Sequence, residues 1–266
     1  MCKEKRSVGG GVGLKLFSTN TDSIKTAREY HARKLIDYIE LMVLPGTYRG
    51  TMRSWQGLEV PFIIHAPHGT YGFNLSDPDK RRHNAKVFDE SRNFADRLDA
   101  EFIIVHPGLM GEAEETARQI RKIDESRIII ENKPFISLRQ TKCVGWSPEE
   151  IRFIMRETGI GFCLDIVHAV KAAYACGQDH NSFLNRFLAL KPRVVHICDC
   201  KVKGCFDEHL NLGQGELDLC GIVGRSLKFS PKVKFTLEVP ERSYKKLNSY
   251  RKDRLILKDC FNKGSR

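Results

Sequence analysis

Histidines, aspartates and glutamates recur along this chain at the downstream ends of short apolar runs. The third run ends in His65-Ala66-Pro67-His68, the fourth in His106-Pro107-Gly108 and the fifth in Glu131-Asn132. The sixth ends in Asp165, with His168 three residues on. The seventh carries His196, with Asp207 and His209 in the loop that follows, and the eighth ends in Glu238. Taken singly, each has an ordinary reading: a histidine at a strand end hydrogen-bonds at the rim, and Glu131 caps a helix. Gathered on one rim, they would crowd like charges and leave polar groups without water, which is costly unless cations are shared. Mixed nitrogen and oxygen donors suit Zn²⁺, with Mn²⁺ or Fe²⁺ as the other candidates. Clustered divalent cations lower the pKa of bound water and neutralise phosphate. The chemistry expected of such a centre is attack by activated water.

Such a rim needs elements that bring it together. Short β-branched runs alternate with longer amphipathic stretches. The runs are GLKLFS (13–18), YIELMVL (38–44), PFIIHAP (61–67), EFIIVHPG (101–108), RIIIENKP (127–134), GFCLDIVH (161–168), RVVHICD (193–199) and KFTLEVP (234–240). Near-continuous apolar strands imply burial on both faces, as in a parallel sheet. The stretch from Ser76 offers a Ser76 or Asp77 cap and Pro78 in the first turn. Another offers Ser147 as cap, Pro148 next and Gly159 as stop. Strand–helix alternation repeated eight times predicts a (β/α)₈ TIM barrel, a single α/β domain over 13–260. No glycine-rich phosphate fingerprint follows the first run, which counts against a dinucleotide-binding fold. Between the second and third runs, PGTYRGTMRSWQGLEV is short and glycine-rich, so a reduced helix is expected there. Residues 1–12 and 261–266 read as flexible termini.

The length of 266 residues is close to the roughly 250 of one such barrel. The net charge of +11 favours polyanionic partners such as nucleic acid. No apolar run is long enough to span a membrane, and the basic, glycine-rich start lacks the apolar core of a secretory signal. Nine scattered cysteines, several inside apolar runs, read as reduced thiols of a cytoplasmic protein. Cys198, Cys200 and Cys205 are close together, but their spacing fits no standard zinc pattern.

With HGTYGFNL (68–75), HPG (106–108), IEN (130–132), CLDIVHA (163–169), VHICD (195–199), DEHLNLGQGEL (207–217) and LEVP (237–240), the chain resembles endonuclease IV. That is a family of zinc-dependent apurinic/apyrimidinic endonucleases. The resemblance runs from about Pro61 to Pro240. It implies up to three Zn²⁺ ions on nine ligands. Glu131 would bridge two metals, His68 and His106 would complete the first site, and Asp165, His196 and Glu238 the second. His168, Asp207 and His209 would hold the third. Spacing to Tyr71, Asn74 and Leu75 favours His68 as the first ligand, while His65 is the alternative because it precedes Ala66-Pro67. The resemblance further implies a monomer that repairs abasic DNA, cutting 5′ to the lesion by attack of a metal-bound hydroxide. Glu131 and Glu238 would orient that hydroxide, and Tyr71 would pack at the lesion.

The first quarter departs from that family. No histidine follows the first run, the family's lysine–asparagine loop after the second is absent, and Glu208 replaces an arginine. YIEL (38–41) is closer to the sugar isomerase branch of the same superfamily. Substrate contacts are therefore expected from Tyr71 and Asn74 together with new basic loops. Arg49, Arg53 and Trp55 would supply phosphate contacts and a stacking ring; Lys133, Arg139, Lys142, Lys201 and Lys203 would add charge. The alternative is a single-metal sugar isomerase or epimerase that uses Glu131, Asp165, His196 and Glu238 alone.

Overall fold

The protein is described here as a computed structural model covering residues 10–264. All eight apolar runs form strands. They are β1 (Val12–Phe17), β2 (Tyr38–Met42), β3 (Phe62–His65), β4 (Ile103–Val105), β6 (Ile128–Glu131), β8 (Gly161–Asp165), β9 (Val194–Ile197) and β10 (Lys234–Leu237). Two short strands not anticipated from the sequence, β5 (Gly108–Leu109) and β7 (Cys143–Val144), pair antiparallel beside the mouth. The eight long strands pair in parallel, and β1 bonds to both β2 and β10, which closes the barrel.

Alternation along the strands decides what the barrel holds. Tyr38, Ile63, Ile104, Ile129, Cys163 and Val194 form a separate buried cluster. Two residues further on, on the same face of each strand, stand Glu40, His65, His106, Glu131, Asp165 and His196. The apolar layer is thus the floor on which the polar layer rests. Tyr38 lies directly over Gly13: a Cβ there would sit 2.2 Å from the tyrosine ring, so only glycine fits.

The outer layer holds α1 (Ile24–Ala32), α2 (Tyr48–Gln56), α3 (Arg81–Arg97), α4 (Ala113–Ile123), α5 (Pro148–Thr158), α6 (Ile166–Ala175), α7 (His180–Leu188), α8 (Leu219–Phe229) and α9 (Asn248–Gly264). Ser147 caps α5 by accepting from Glu150 N at 3.2 Å, and Gly159 ends it at φ 74°. Asp77 caps a 3₁₀ turn, Pro78–Lys80, that leads into α3. No helix among the described residues is long and apolar enough to cross a membrane.

Two expectations need correction. The link between β2 and β3 carries the short helix expected there, α2, of nine residues, but the role given to Trp55 does not hold. Trp55 is fully buried, donates its indole N–H to Ser18 O at 2.8 Å and packs edge-on against Phe62. It is a core residue, so no stacking ring is presented to a ligand from here. Trp55→Ala is expected to lower stability by about 3–5 kcal/mol, measured by urea denaturation. A loss under about 1 kcal/mol would contradict this packing. The cysteines are also not all thiols: Cys220 on α8 and Cys260 on α9 form a disulfide. The segment after β10 forms α9, which buries Tyr250, Leu257 and Cys260. Residues 1–9 and 265–266, which take in most of the termini expected to be flexible, lie outside the described residues.

Candidate metal centre

Glu131 ends β6 at the centre of a ring of imidazoles. Its Oε2 lies 3.0 Å from Nε2 of His65 on β3 and 3.0 Å from Nε2 of His106 after β4. Its Oε1 lies 3.3 Å from Nδ1 of His168. Burial would raise the pKa of Glu131, but His106 and His196 hold it well below the usual carboxylate range. His68, favoured over His65 by spacing, is not the histidine that meets Glu131. Strand β3 ends at His65, whose phase points it inward. His68 lies past the strand end, where its Nδ1 accepts from Thr70 N at 3.3 Å and its ring stacks over His106 at 5.8 Å. Burial, together with Lys133 and His65, pushes His68 down to about 4.

Asp165 ends β8 and pairs in register with His196 on β9. Its Oδ1 accepts from His168 N at 2.7 Å, which caps α6, while Oδ2 makes no hydrogen bond. His168 is oriented from below by its own Nδ1–H, donated to Asn132 O at 2.8 Å. Asn132 also bonds the backbone of Asp165 in both directions, at 2.8 and 2.9 Å, so the asparagine of the IEN motif locks β6 to β8. His168 Nε2 then faces Asp207 Oδ2 at 3.2 Å, and His209 Nε2 lies 3.0 Å from Asp207 Oδ1. Burial would lower the His168 pKa, but the carboxylates of Asp165 and Asp207 raise it to about 9.

The loop carrying Asp207 and His209 is long, yet it is firmly held. Asp199 accepts from Gly213 N, and Asp253 of α9 accepts from Leu212 N. Lys171, buried on α6, donates to Lys201 O at 2.8 Å and pairs with Glu208 at 3.5 Å. The glutamate standing where relatives of the resembling family have arginine therefore has a structural partner.

His196 donates Nε2–H to Glu40 Oε2 at 3.0 Å, which leaves Nδ1 toward Glu238 Oε2 at 2.8 Å. Thr236 also donates to Glu40 Oε2, at 2.7 Å. Lys15, paired in register with Glu40, places Nζ 2.7 Å from Glu238 and 3.4 Å from Glu40. Neither Lys15 nor Glu40 was singled out from the sequence. The signal was there: a charged side chain inside an otherwise apolar, doubly buried strand needs a partner.

Do these residues suit a metal? Ligand atoms within 4.8 Å of one another occur as Glu131–Cys163–His196 and, in three sets of histidine and carboxylate alone, as His65–His106–Glu131, Asp165–His168–His209 and Asp165–His196–Glu238. Asp165 Oδ2, His196 Nδ1, Asp207 Oδ1, His209 Nε2 and Glu238 Oε2 are buried atoms that make no hydrogen bond and meet one another and, at Glu238, the Lys15 ammonium. Buried donors that converge in this way are what a bound cation satisfies, so the residues fit divalent ions in mixed N/O sets. The set opens into a cavity of about 570 Å³.

The residues expected to touch substrate separate. Lys133 and Arg139 line the cavity, and Tyr71 is exposed at the mouth, its ring 5.2 Å from His68. Arg49 and Arg53 are exposed on α2 outside the lining, and Lys201 is exposed near Glu216 at 3.9 Å. Asn74 is a correction. Its amide is consumed by Leu109 O, Leu109 N and Ser76, which ties the loop after β3 to β5. The glycine of the HPG motif serves that same junction: a Cβ on Gly108, at φ 140°, would lie 2.2 Å from Asn74 Oδ1.

The curated relatives include the probable endonuclease 4 of Carboxydothermus hydrogenoformans. It is 27% identical over 205 residues, covering 68% of this chain and 70% of that protein. The apurinic-apyrimidinic endonuclease 1 of Plasmodium berghei is 26% identical over 182 residues, covering 58% of this chain and 34% of that one. Among solved structures, a D-tagatose 3-epimerase-like protein superposes with TM-score 0.71 at 20% identity, covering 95% and 98% of the two chains. Endonuclease IV from Thermus thermophilus superposes with TM-score 0.66 at 23% identity, covering 94% and 99%. These structural likenesses share the barrel. Residues 53–260 match the xylose isomerase-like TIM barrel model, and with its closed ring of eight parallel strands the chain belongs to that family.

Proposed function

We propose that the protein is a metal-dependent phosphodiesterase of the endonuclease IV type, acting as a monomer on DNA that contains abasic sites. One observation carries the reading. His168 and His209 converge on Asp207, with Asp165 beside them, in addition to the donors around Glu131 and Glu238. A one-ion isomerase leaves that third set without work. The names of the curated relatives support the same class.

Bound divalent ions, for which Zn²⁺ suits the donors best, supply the acidity that activates water and offsets phosphate charge. The protein's own groups do the rest. Glu131 at the end of β6 and Glu238 just past β10 both line the cavity and orient the attacking water. His106 and either His65 or His68 hold the near side, with His68 and Tyr71 toward the mouth. Lys133 and Arg139 draw the phosphate in. Water's oxygen bonds to phosphorus, and the 3′ oxygen of the upstream nucleotide departs as a hydroxyl.

The test is incubation of the metal-loaded protein with an abasic-site duplex. Cleavage 5′ to the lesion is expected, abolished by EDTA and restored by Zn²⁺, with an affinity that falls steeply as salt rises. An intact duplex in every arm would overturn the proposal. The second reading, a sugar isomerase or epimerase, draws on the cavity's size, which suits a small enclosed molecule. There Glu131 and Glu238 would move a proton beside a carbonyl. Interconversion of free ketoses by a protein that leaves DNA uncut would favour it.

A further inference from the structure

The three donor sets are not equivalent, and the difference is Lys15. Its side chain rises from β1 into the polar layer, 13% exposed, and lines the cavity. Nζ lies 2.7 Å from Glu238 Oε2, the same oxygen that faces His196 Nδ1. It also lies 3.4 Å from Glu40 Oε1, an atom that makes no hydrogen bond. Among the described residues, no other lysine or arginine ion-pairs with Glu40, Glu131, Asp165, Asp207 or Glu238. The ammonium therefore touches a donor of the Asp165–His196–Glu238 set and spares the other two sets.

We propose that Lys15 is a resident cation that competes with metal at the Asp165–His196–Glu238 site and makes it the weakest of the three. The inference rests on the metal-centre reading above. A fixed positive charge beside a shared carboxylate oxygen repels a second cation and occupies one of its ligand atoms. In the other two sites no ammonium touches a ligand oxygen: Lys133 lines the cavity and its charge reaches His106 and His168, but it ion-pairs with none of the donors among the described residues. The protein then holds metal tightly at two sites and loosely at the third. A protein-borne charge does part of the neutralising that an ion does elsewhere.

The experiment is zinc titration by calorimetry, with metal content after dialysis, on the whole protein and on Lys15→Met, Lys15→Gln and Lys15→Arg. Wild type is expected to retain two equivalents through dialysis. Lys15→Met is expected to retain three, its weakest site tightened about 10- to 100-fold, the range by which groups beside a metal ligand tune affinity. Lys15→Gln, which keeps a donor toward Glu238, must move the same way and decides the matter if the methionine variant does not fold. Lys15→Arg must behave as wild type. If wild type binds zinc but neither neutral variant gains affinity or an equivalent, the role of Lys15 is wrong while the metal centre stands. If wild type binds no zinc at all, the metal-centre reading fails first and takes this inference with it.

Discussion

Glu131→Ala is expected to lose metal and activity together, with phosphodiesterase activity down by about 10²- to 10³-fold, the scale for deleting a charge-stabilising group from a preorganised site. The argument is positional. Both oxygens of Glu131 are engaged, Oε2 by His65 and His106 and Oε1 by His168, and His196 Nδ1 is 3.6 Å away. No other carboxylate among the described residues meets histidines from four different strand ends. Removing it takes an anionic donor from the place where two ions would meet and leaves the imidazoles without their common acceptor. Metal analysis after dialysis should show at least one equivalent fewer than wild type. Wild-type cutting of abasic DNA by this variant would show that Glu131 is not the shared ligand.

Glu40→Ala should be nearly as disruptive, although Glu40 belongs to none of the donor sets. It is fully buried and collects His196 Nε2–H, Thr236 Oγ1–H and the Lys15 ammonium. Thr236 in turn accepts from the Tyr38 hydroxyl at 2.9 Å, so the chain of bonds is anchored in the barrel floor. Burial would raise the Glu40 pKa, but His196 and Lys15 hold it down at about 2. Deleting one partner of a buried charged network costs about 3–5 kcal/mol, which chemical denaturation measures. Loss of the group that orients a ligating histidine should also weaken metal binding about 10- to 100-fold. Glu40→Gln retains an acceptor for His196 and should recover part of the stability and most of the orientation. If Glu40→Ala matches wild type in both measurements, His196 is held by something else.

The parts of this molecule legible in its sequence are those that depend on one strand at a time. Ile128–Ile130 and Ile103–Val105 are continuous β-branched runs between turn signals, which is how a doubly buried strand reads. The donors at the strand ends follow because alternation carries Ile129 to Glu131 and Ile104 to His106 on one face. Which of His65 and His68 meets Glu131 was open to the same argument, since His65 is in phase with Ile63 and His68 lies past the strand. What escaped depends on pairs of elements. Lys15 meets Glu40 only because β1 and β2 align at that register. Cys220 and Cys260 are 40 residues apart and meet only because α8 and α9 pack together. Trp55 reads as an exposed ring in a glycine-rich stretch until α2 turns its Met52–Trp55 face onto the barrel. Asn74 belongs to a loop whose partner, β5, had no signature of its own.

The layer formed by Tyr38, Ile63, Ile104, Ile129, Cys163 and Val194 has a consequence for turnover. With its bottom sealed by packed hydrocarbon, the cylinder is a cup and not a tunnel. Among the described residues the cup leaves one doorway, so spent material must vacate it before a fresh molecule enters. The lip of the cup, where Tyr71, Leu138 and Arg139 stand, thereby governs both admission and release. Substitutions there will alter arrival and departure together.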